Sequence, residues 1–270
     1  MSFPRLSPAL VKTILRRFDV VATLPTLSLL ETLVNAYIRT VPWETVFRIV
    51  KRARTAETAV CPRWPEEFWT DNLERGGGGT CFESNYAFFS LLQALGYEGY
   101  LTINNMGDSI GCHTAIIILI NGQKWLVDAG FPLYAPLPVS PYGTMHRTTQ
   151  FMKYTVRPDG PDVYQIEQHP HPNRNAFTLI DRPVPDETYL AATTTDYGPD
   201  GLFLDRIVIN KVVADQTWRF NTGEQPWQLL RFVNGMRTGF MLDGDAATAV
   251  AQHFAIDKSV VQAAFQALSL

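Results

Sequence analysis

Three residues could share one chemistry: Cys81, His113 and Asp128, in that chain order, 32 and then 15 residues apart. A thiolate attacks an acyl carbon, an imidazole moves the proton between entering and leaving groups, and a carboxylate fixes the imidazole tautomer. Each must be placed by its own local structure, so the elements around them decide whether they can meet.

Four glycines, Gly76 to Gly79, precede Thr80-Cys81-Phe82-Glu83, which fits the capping box T-x-x-E. The spacing predicts Thr80 as N-cap, with Glu83 reaching back to its backbone N–H. Cys81 then occupies the first position of a helix, where free N–H groups and the positive dipole end favour thiolate over thiol. Phe82, Tyr86, Phe89 and Leu92 form a buried stripe, and Gly96 supplies a left-handed stop. The competing reading makes Cys81 a small buried residue in a glycine-rich turn.

The second segment runs from Gly111 to Gly130. An apolar run after His113 meets Asn121-Gly122, a strong hairpin signal, and continues as Gln123 to Val127. With Asn121-Gly122 as the turn, Ile120 pairs with Gln123, Ala115 lies opposite Asp128, and His113 lies opposite Gly130. His113 and Asp128 are then diagonal neighbours on one face, roughly 7–8 Å apart at the backbone. A slip of one residue would separate them, but Ile116, Ile118, Trp125 and Val127 commit the other face to the core. The competing reading is a polar pair on a half-exposed face.

The wider pattern is α+β. Ser7 with Pro8, and then Thr26, open two helices, the second ending before Val41-Pro42. Lys51 to Ala59 reads as a loop or short helix, with Pro62 and Pro65 as breakers. From Gly99, short β-branched and aromatic runs alternate with turn residues at Tyr100–Ile103, Thr114–Ile120, Lys124–Val127, Met152–Val156, Val163–Ile166, Phe177–Leu179 and Leu204–Val213. Strands at that density predict an antiparallel sheet or barrel. The tail, Asp245 to Leu268, returns to helix, with Asp257 or Ser259 as a late cap.

Composition narrows the function classes. The 270 residues are 46% hydrophobic and 18% charged, with a net charge of -3, which argues against a broad basic surface for nucleic acid. Three cysteines are too few for a disulfide framework and point to a reducing compartment. The longest purely apolar stretch, Ala115 to Ile120, falls far short of the ~20 residues of a membrane helix. Arg16 and Arg17 stand where a signal peptide would be cleaved, so a cytoplasmic protein is expected. His169-Pro170-His171 lacks further ligands at metal spacing, and Lys51-Arg52-Ala53-Arg54 reads as a solvated face. Cys112 should be a buried spectator, pointing away from His113. The glycine run lacks the Lys-Ser/Thr of a nucleotide-binding loop.

Thr80 to Gly96, TCFESNYAFFSLLQALG, resembles the G-G-x-C-x-E-x-N segment of arylamine N-acetyltransferases, and Trp125 to Phe131, WLVDAGF, is similar to that family's V-D-x-G-F segment. Val41-Pro42-Trp43-Glu44 resembles its I-P-F-E, and Phe254-Ala255-Ile256 its F-G-I ending. The resemblance implies Cys81 as nucleophile, His113 as base and Asp128 as orienting carboxylate, with Gly130 and Phe131 against coenzyme A. It implies an N-terminal helical bundle (1–98), a central antiparallel β-barrel (99–200) and a C-terminal α/β lid (201–270), around a cysteine-protease-like core. Acetyl-coenzyme A or another acyl-coenzyme A would be the co-substrate and an amine the acceptor, with no permanently bound cofactor and no metal. Two departures stand out. The family's arginine four before the cysteine has no counterpart, since Arg75 stands six before Cys81, and this leaves a partner for Glu44 unidentified. Pro132 replaces a glycine of the family's G-F-G, which removes an N–H donor and should weaken coenzyme A.

The expectation is a ping-pong acyltransferase. A thiol hydrolase or transglutaminase-like amidase shares the Cys, His, Asp order, and a non-catalytic acyl-binding scaffold would need no reactive Cys81. The acyl group, the acceptor and the oligomeric state are open at this level.

Overall fold

The computed structural model describes residues 5–270. Helix α1 (Pro8–Phe18) opens on Ser7, whose hydroxyl accepts the Leu10 N–H, and α2 (Leu27–Thr40) opens on Thr26 in the same way. A short strand β1 (Trp43–Glu44) leads into α3 (Val46–Arg54), a 3-10 turn at Thr58–Val60, then α4 (Pro65–Arg75) and α5 (Cys81–Ala94).

Eight strands follow: β2 (Glu98–Met106), β3 (Ser109–Ile120), β4 (Gln123–Val127), β5 (Leu137–Val139), β6 (Met145–Thr148), β7 (Lys153–Pro158), β8 (Val163–His169) and β9 (Asn175–Ile180). They pair antiparallel in the order β5-β4-β3-β2-β9-β8-β7-β6, and the end strands β5 and β6 approach each other, so the sheet is nearly a closed barrel. Helix α6 (Asp186–Thr195) connects to β10 (Val208–Val213), β11 (Gln216–Asn221), β12 (Gln228–Val233) and β13 (Met236–Met241). These form a second antiparallel sheet whose other edge is β1, and α7 (Ala246–Phe254) and α8 (Lys258–Ala267) end the chain.

The elements pack around three apolar cores. One joins α1, α2, α4 and α5 to the outer face of β2, β3 and β4; a second fills the barrel interior; a third lies between α3, α7, α8 and the five-stranded sheet. The fold is mixed α+β, as expected.

Several local expectations change. Pro65 does not break a helix but starts one, as N1 of α4, where its missing N–H costs nothing. Lys51 and Arg52 lie on α3 and are partnered, Lys51 by Glu67 and Arg52 by the carbonyls of Tyr197 and Thr55. The tail is two helices, capped by Asp245 and Asp257, broken where Ala255 turns left-handed at φ 55. Helix α6 and strands β1, β5, β6 and β11 to β13 have no counterpart among the expected elements. Only Tyr189 and Thr193 of α6 are buried and every residue of β13 is exposed, so neither carries an apolar stripe to detect.

Beneath the first turn of α5 lies a buried ion network. The Arg63 guanidinium reaches Glu83 Oε2 at 2.6 Å, Asp71 at 3.2 Å and Glu44 at 3.9 Å, and donates to the Gly78 carbonyl. Glu44 accepts the N–H groups of Phe47 and Gly78, each at 3.0 Å. Arg63, not Arg75, is therefore the cation paired with Glu44. Gly78 tolerates no side chain here, because a Cβ would stand 1.7 Å from the Pro42 carbonyl oxygen. Replacing Arg63 with Met would leave two fully buried carboxylates without a counter-charge. A loss of about 3–5 kcal/mol is expected in urea unfolding, with unchanged stability as the result that contradicts it.

Candidate active site

The hairpin forms in the expected register. Asn121 and Gly122 both adopt positive φ, 51 and 75, as a type I′ turn requires, and the ladder runs from Ile120–Gln123 to Ile116–Val127. One step beyond the last pair, Asp128 Oδ2 lies 2.6 Å from His113 Nε2. The pair is not half-exposed: His113 is 2% and Asp128 1% accessible. Both faces of this hairpin are covered, one by α5 and the other by the barrel interior, where Ala115, Ile117 and Leu126 follow on from His113.

Asp128 is saturated. Its Oδ1 accepts from Asn85 Nδ2 at 3.0 Å, Gly130 N at 2.8 Å and Phe131 N at 2.7 Å. Gly130 and Phe131, expected against coenzyme A, thus have their amides spent on the carboxylate. Gly130 has a second duty: a Cβ there would sit 2.2 Å from Cys81 Cα. Glycine alone lets the chain after β4 close onto the start of α5.

Cys81 does begin α5, but the capping box does not form. Thr80 makes no side-chain cap, and Glu83 turns inward to Arg63 instead of back to the Thr80 N–H. A buried cation outcompetes a local backbone donor for a carboxylate. The Cys81 thiol lies 3.7 Å from the Cys112 carbonyl, beside His113 in the chain, and is near enough to the imidazole to help raise its pKa. With Nε2 committed to Asp128, Nδ1 is the ring nitrogen left for the sulfur. Phe177 packs on the imidazole at 4.7 Å between centroids, with Phe131 at 6.2 Å. Cys112 is only partly buried, because it lies near the β2–β3 turn, where its thiol points to the Ser109 carbonyl.

Burial works against a charged His113, but the Asp128 charge and hydrogen bond, and then Cys81, override it and push the imidazole up to about 10. The group can therefore hold a proton at neutral pH and deliver it to a leaving atom.

A cleft of about 590 Å³ runs between barrel and five-stranded sheet and reaches Ala129, the residue after Asp128. Ala129, Pro132 and Tyr134 line the barrel side, and Trp43, Leu230 and Phe232 the sheet side. Arg219 and Arg237 lie on its sheet wall, both paired with Glu224, and His171 stands at the barrel side. Among the described residues no group of His, Cys, Asp or Glu is placed to hold a metal ion, and no helix is long and apolar enough to cross a membrane.

Sequence reasoning missed Asn85, Arg63 and Phe177. Asn85 had a signal: it stands four residues after Cys81, on the same helix face. Arg63 and Phe177 had none, since each arrives from a distant segment.

The raised His113 value makes a signed prediction. In the unfolded chain a histidine loses its proton near 6.5, so stability from the His113–Asp128 pair is full below that pH and is lost as pH rises toward about 10. The difference in unfolding free energy between the parent and His113→Gln should shrink steadily across that window. A difference independent of pH would contradict the assignment.

A family model described as N-acetyltransferase matches residues 26–224. An acetyltransferase of Acanthamoeba polyphaga mimivirus, itself described as uncharacterized, is 39% identical over 66 residues, 23% of this chain and 32% of that protein. The match thus spans about a third of that relative's length. Among solved structures, the arylamine N-acetyltransferase of Mycobacterium marinum in complex with coenzyme A superposes with a TM-score of 0.77 at 20% identity, over 94% of this chain and 97% of that one. The Salmonella typhimurium enzyme gives 0.78 at 15% identity, over 97% and 100%. A Bacillus cereus arylamine N-acetyltransferase with a Cys-His-Glu catalytic triad gives 0.72 at 20%, over 93% and 100%. The matched residues span the helix that begins at Cys81, the β3–β4 hairpin and the first strands of the sheet across the cleft, and on that match the chain belongs to the N-acetyltransferase family, with the fold of the arylamine N-acetyltransferases.

Proposed function

We propose that this protein is a ping-pong acyltransferase with Cys81 as nucleophile, His113 as proton carrier and Asp128 as orienting carboxylate. One observation carries the reading: a buried carboxylate and imidazole at 2.6 Å, beside a cysteine at a helix start. The Cys81 sulfur attacks the acyl carbonyl, and the His113 imidazolium protonates the departing thiol or alcohol. The neutral imidazole then takes a proton from the attacking amine as the Cys81 thioester breaks. Asp128 keeps the ring in the tautomer that presents Nδ1 to sulfur. The α5 N–H groups that Thr80 does not cap supply positive charge for the tetrahedral oxyanion.

The donor would be an acyl-coenzyme A or another activated acyl compound, and the acceptor an arylamine, hydrazine or other amine. Gly130 and Phe131 would meet the donor through side chain and carbonyl only, since their amides are taken, and Pro132 offers none.

Intact mass after incubation with a panel of acyl-coenzyme A donors and an aryl acetate should show one acyl group, absent in Cys81→Ser. No adduct with any donor would overturn the proposal; an adduct cleared by water but not by amines would make the protein a hydrolase. Asp128→Asn should lower acyl transfer by orders of magnitude while the fold survives, and activity within a few-fold of the parent would remove Asp128 from its role. Pro132→Gly should lower the KM for the coenzyme A thioester and leave the aryl ester nearly unchanged; an unchanged KM would show that the phosphates bind away from this turn.

A further inference from the structure

We infer that Thr114 is a positioning residue for the nucleophile, its hydroxyl holding the Cys81 backbone at a fixed offset from His113. The inference rests on reading Cys81 and His113 as nucleophile and proton carrier.

Adjacent residues on a strand point to opposite faces. On β3, His113 enters the barrel to meet Asp128, and Thr114 faces α5. The Thr114 hydroxyl lies 3.1 Å from the Cys81 carbonyl oxygen, and a carbonyl can only accept, so the threonine proton goes there. Its lone pairs face Asn85 Nδ2 at 3.1 Å, and Asn85 Nδ2 also donates to the Thr114 carbonyl at 2.7 Å. The Tyr189 hydroxyl, 3.3 Å from the Thr114 oxygen, gives its one proton to the Phe82 carbonyl at 2.7 Å. One fully buried threonine thus ties the first turn of α5 to the strand carrying the imidazole.

This turn needs an outside restraint. Its N-cap makes no side-chain bond, so the usual local clamp on a helix start is missing. Gly130 closes against Cys81 Cα on one side, but through van der Waals contact alone, which limits approach without fixing direction. The Thr114 hydrogen bond supplies direction. A misplacement of about 1 Å between reacting groups can cost 10²-fold in rate, so a hydroxyl that sets this offset should be visible in kinetics.

Thr114→Val removes the hydroxyl and keeps the shape. Thr114→Ser keeps the hydroxyl, and Thr114→Ala removes hydroxyl and methyl together. Three readings are taken on each: alkylation of Cys81 by iodoacetamide, followed by peptide mass; acylation by an aryl acetate; and the thermal midpoint. Val should slow both reactions at Cys81 by about tenfold or more with a midpoint within a few degrees of the parent, and Ser should react within about threefold of the parent. The Ser-to-Ala gap should repeat the Thr-to-Val gap, and it decides the matter if the Val variant does not fold. Val within about twofold of the parent, or Ser as slow as Val, would overturn the inference. A parent that alkylates at Cys81 yet never acylates would overturn the acyltransferase reading, while the alkylation gaps still decide the role of Thr114.

Discussion

The Asp128 carboxylate is where helical bundle, barrel and the loop after β4 meet. One oxygen holds the His113 ring, and the other gathers the amide of Asn85 from α5 and two backbone N–H groups from its own loop. These four donors meet the hydrogen-bonding demand of a buried carboxylate. Asn85 makes the arrangement rigid, because its side-chain oxygen also accepts the Ala129 N–H at 2.8 Å. A single amide therefore fixes the loop that carries Gly130 relative to the helix that carries Cys81.

The ion network under α5 serves a different end. Arg63, Glu83 and Glu44 are all buried, and such a group contributes little net stability over a well-packed apolar cluster. It does specify one arrangement of otherwise featureless chain. Gly76 to Gly79 has no side chains to lock its path, and Arg63 and Glu44 hold it by bonding the Gly78 carbonyl and N–H respectively. Glycine is required at Gly76, Gly77 and Gly78 because the path is threaded between the Ala255 carbonyl, the Phe47 ring and Pro42. The glycines admit the close approach; the charges define it.

The sheet across the cleft depends on the N-terminal half as much as on its own strands. β1 is contributed from Trp43 and Glu44, the latter also in the ion network, and Trp43 forms an isolated bridge to Gly79, two residues before Cys81. The wall of the cleft, the glycine segment and the start of α5 are thus one connected backbone structure.

What the sequence determined by itself was local. A two-residue Asn-Gly turn and a period-two apolar pattern define a hairpin register, so His113 and Asp128 could be placed on one face before any fold was known. A capping residue after a glycine run marks a helix start, which located Cys81. What only the tertiary structure decided was the set of partners. Glu83 had a plausible local donor and took a buried guanidinium from 20 residues away, because a desolvated charge pair outweighs a hydrogen bond to a neutral backbone N–H. Pro65 looked like a breaker and is a helix start, since φ near −65° suits both and only the following packing chooses. β13 carries no buried residue and α6 has only two, so pairing and docking, not apolar pattern, bring them into the fold. That Gly130 must be glycine could not be read locally either: the clash that forbids a side chain is with Cys81, 49 residues earlier, and exists only once helix and hairpin have met.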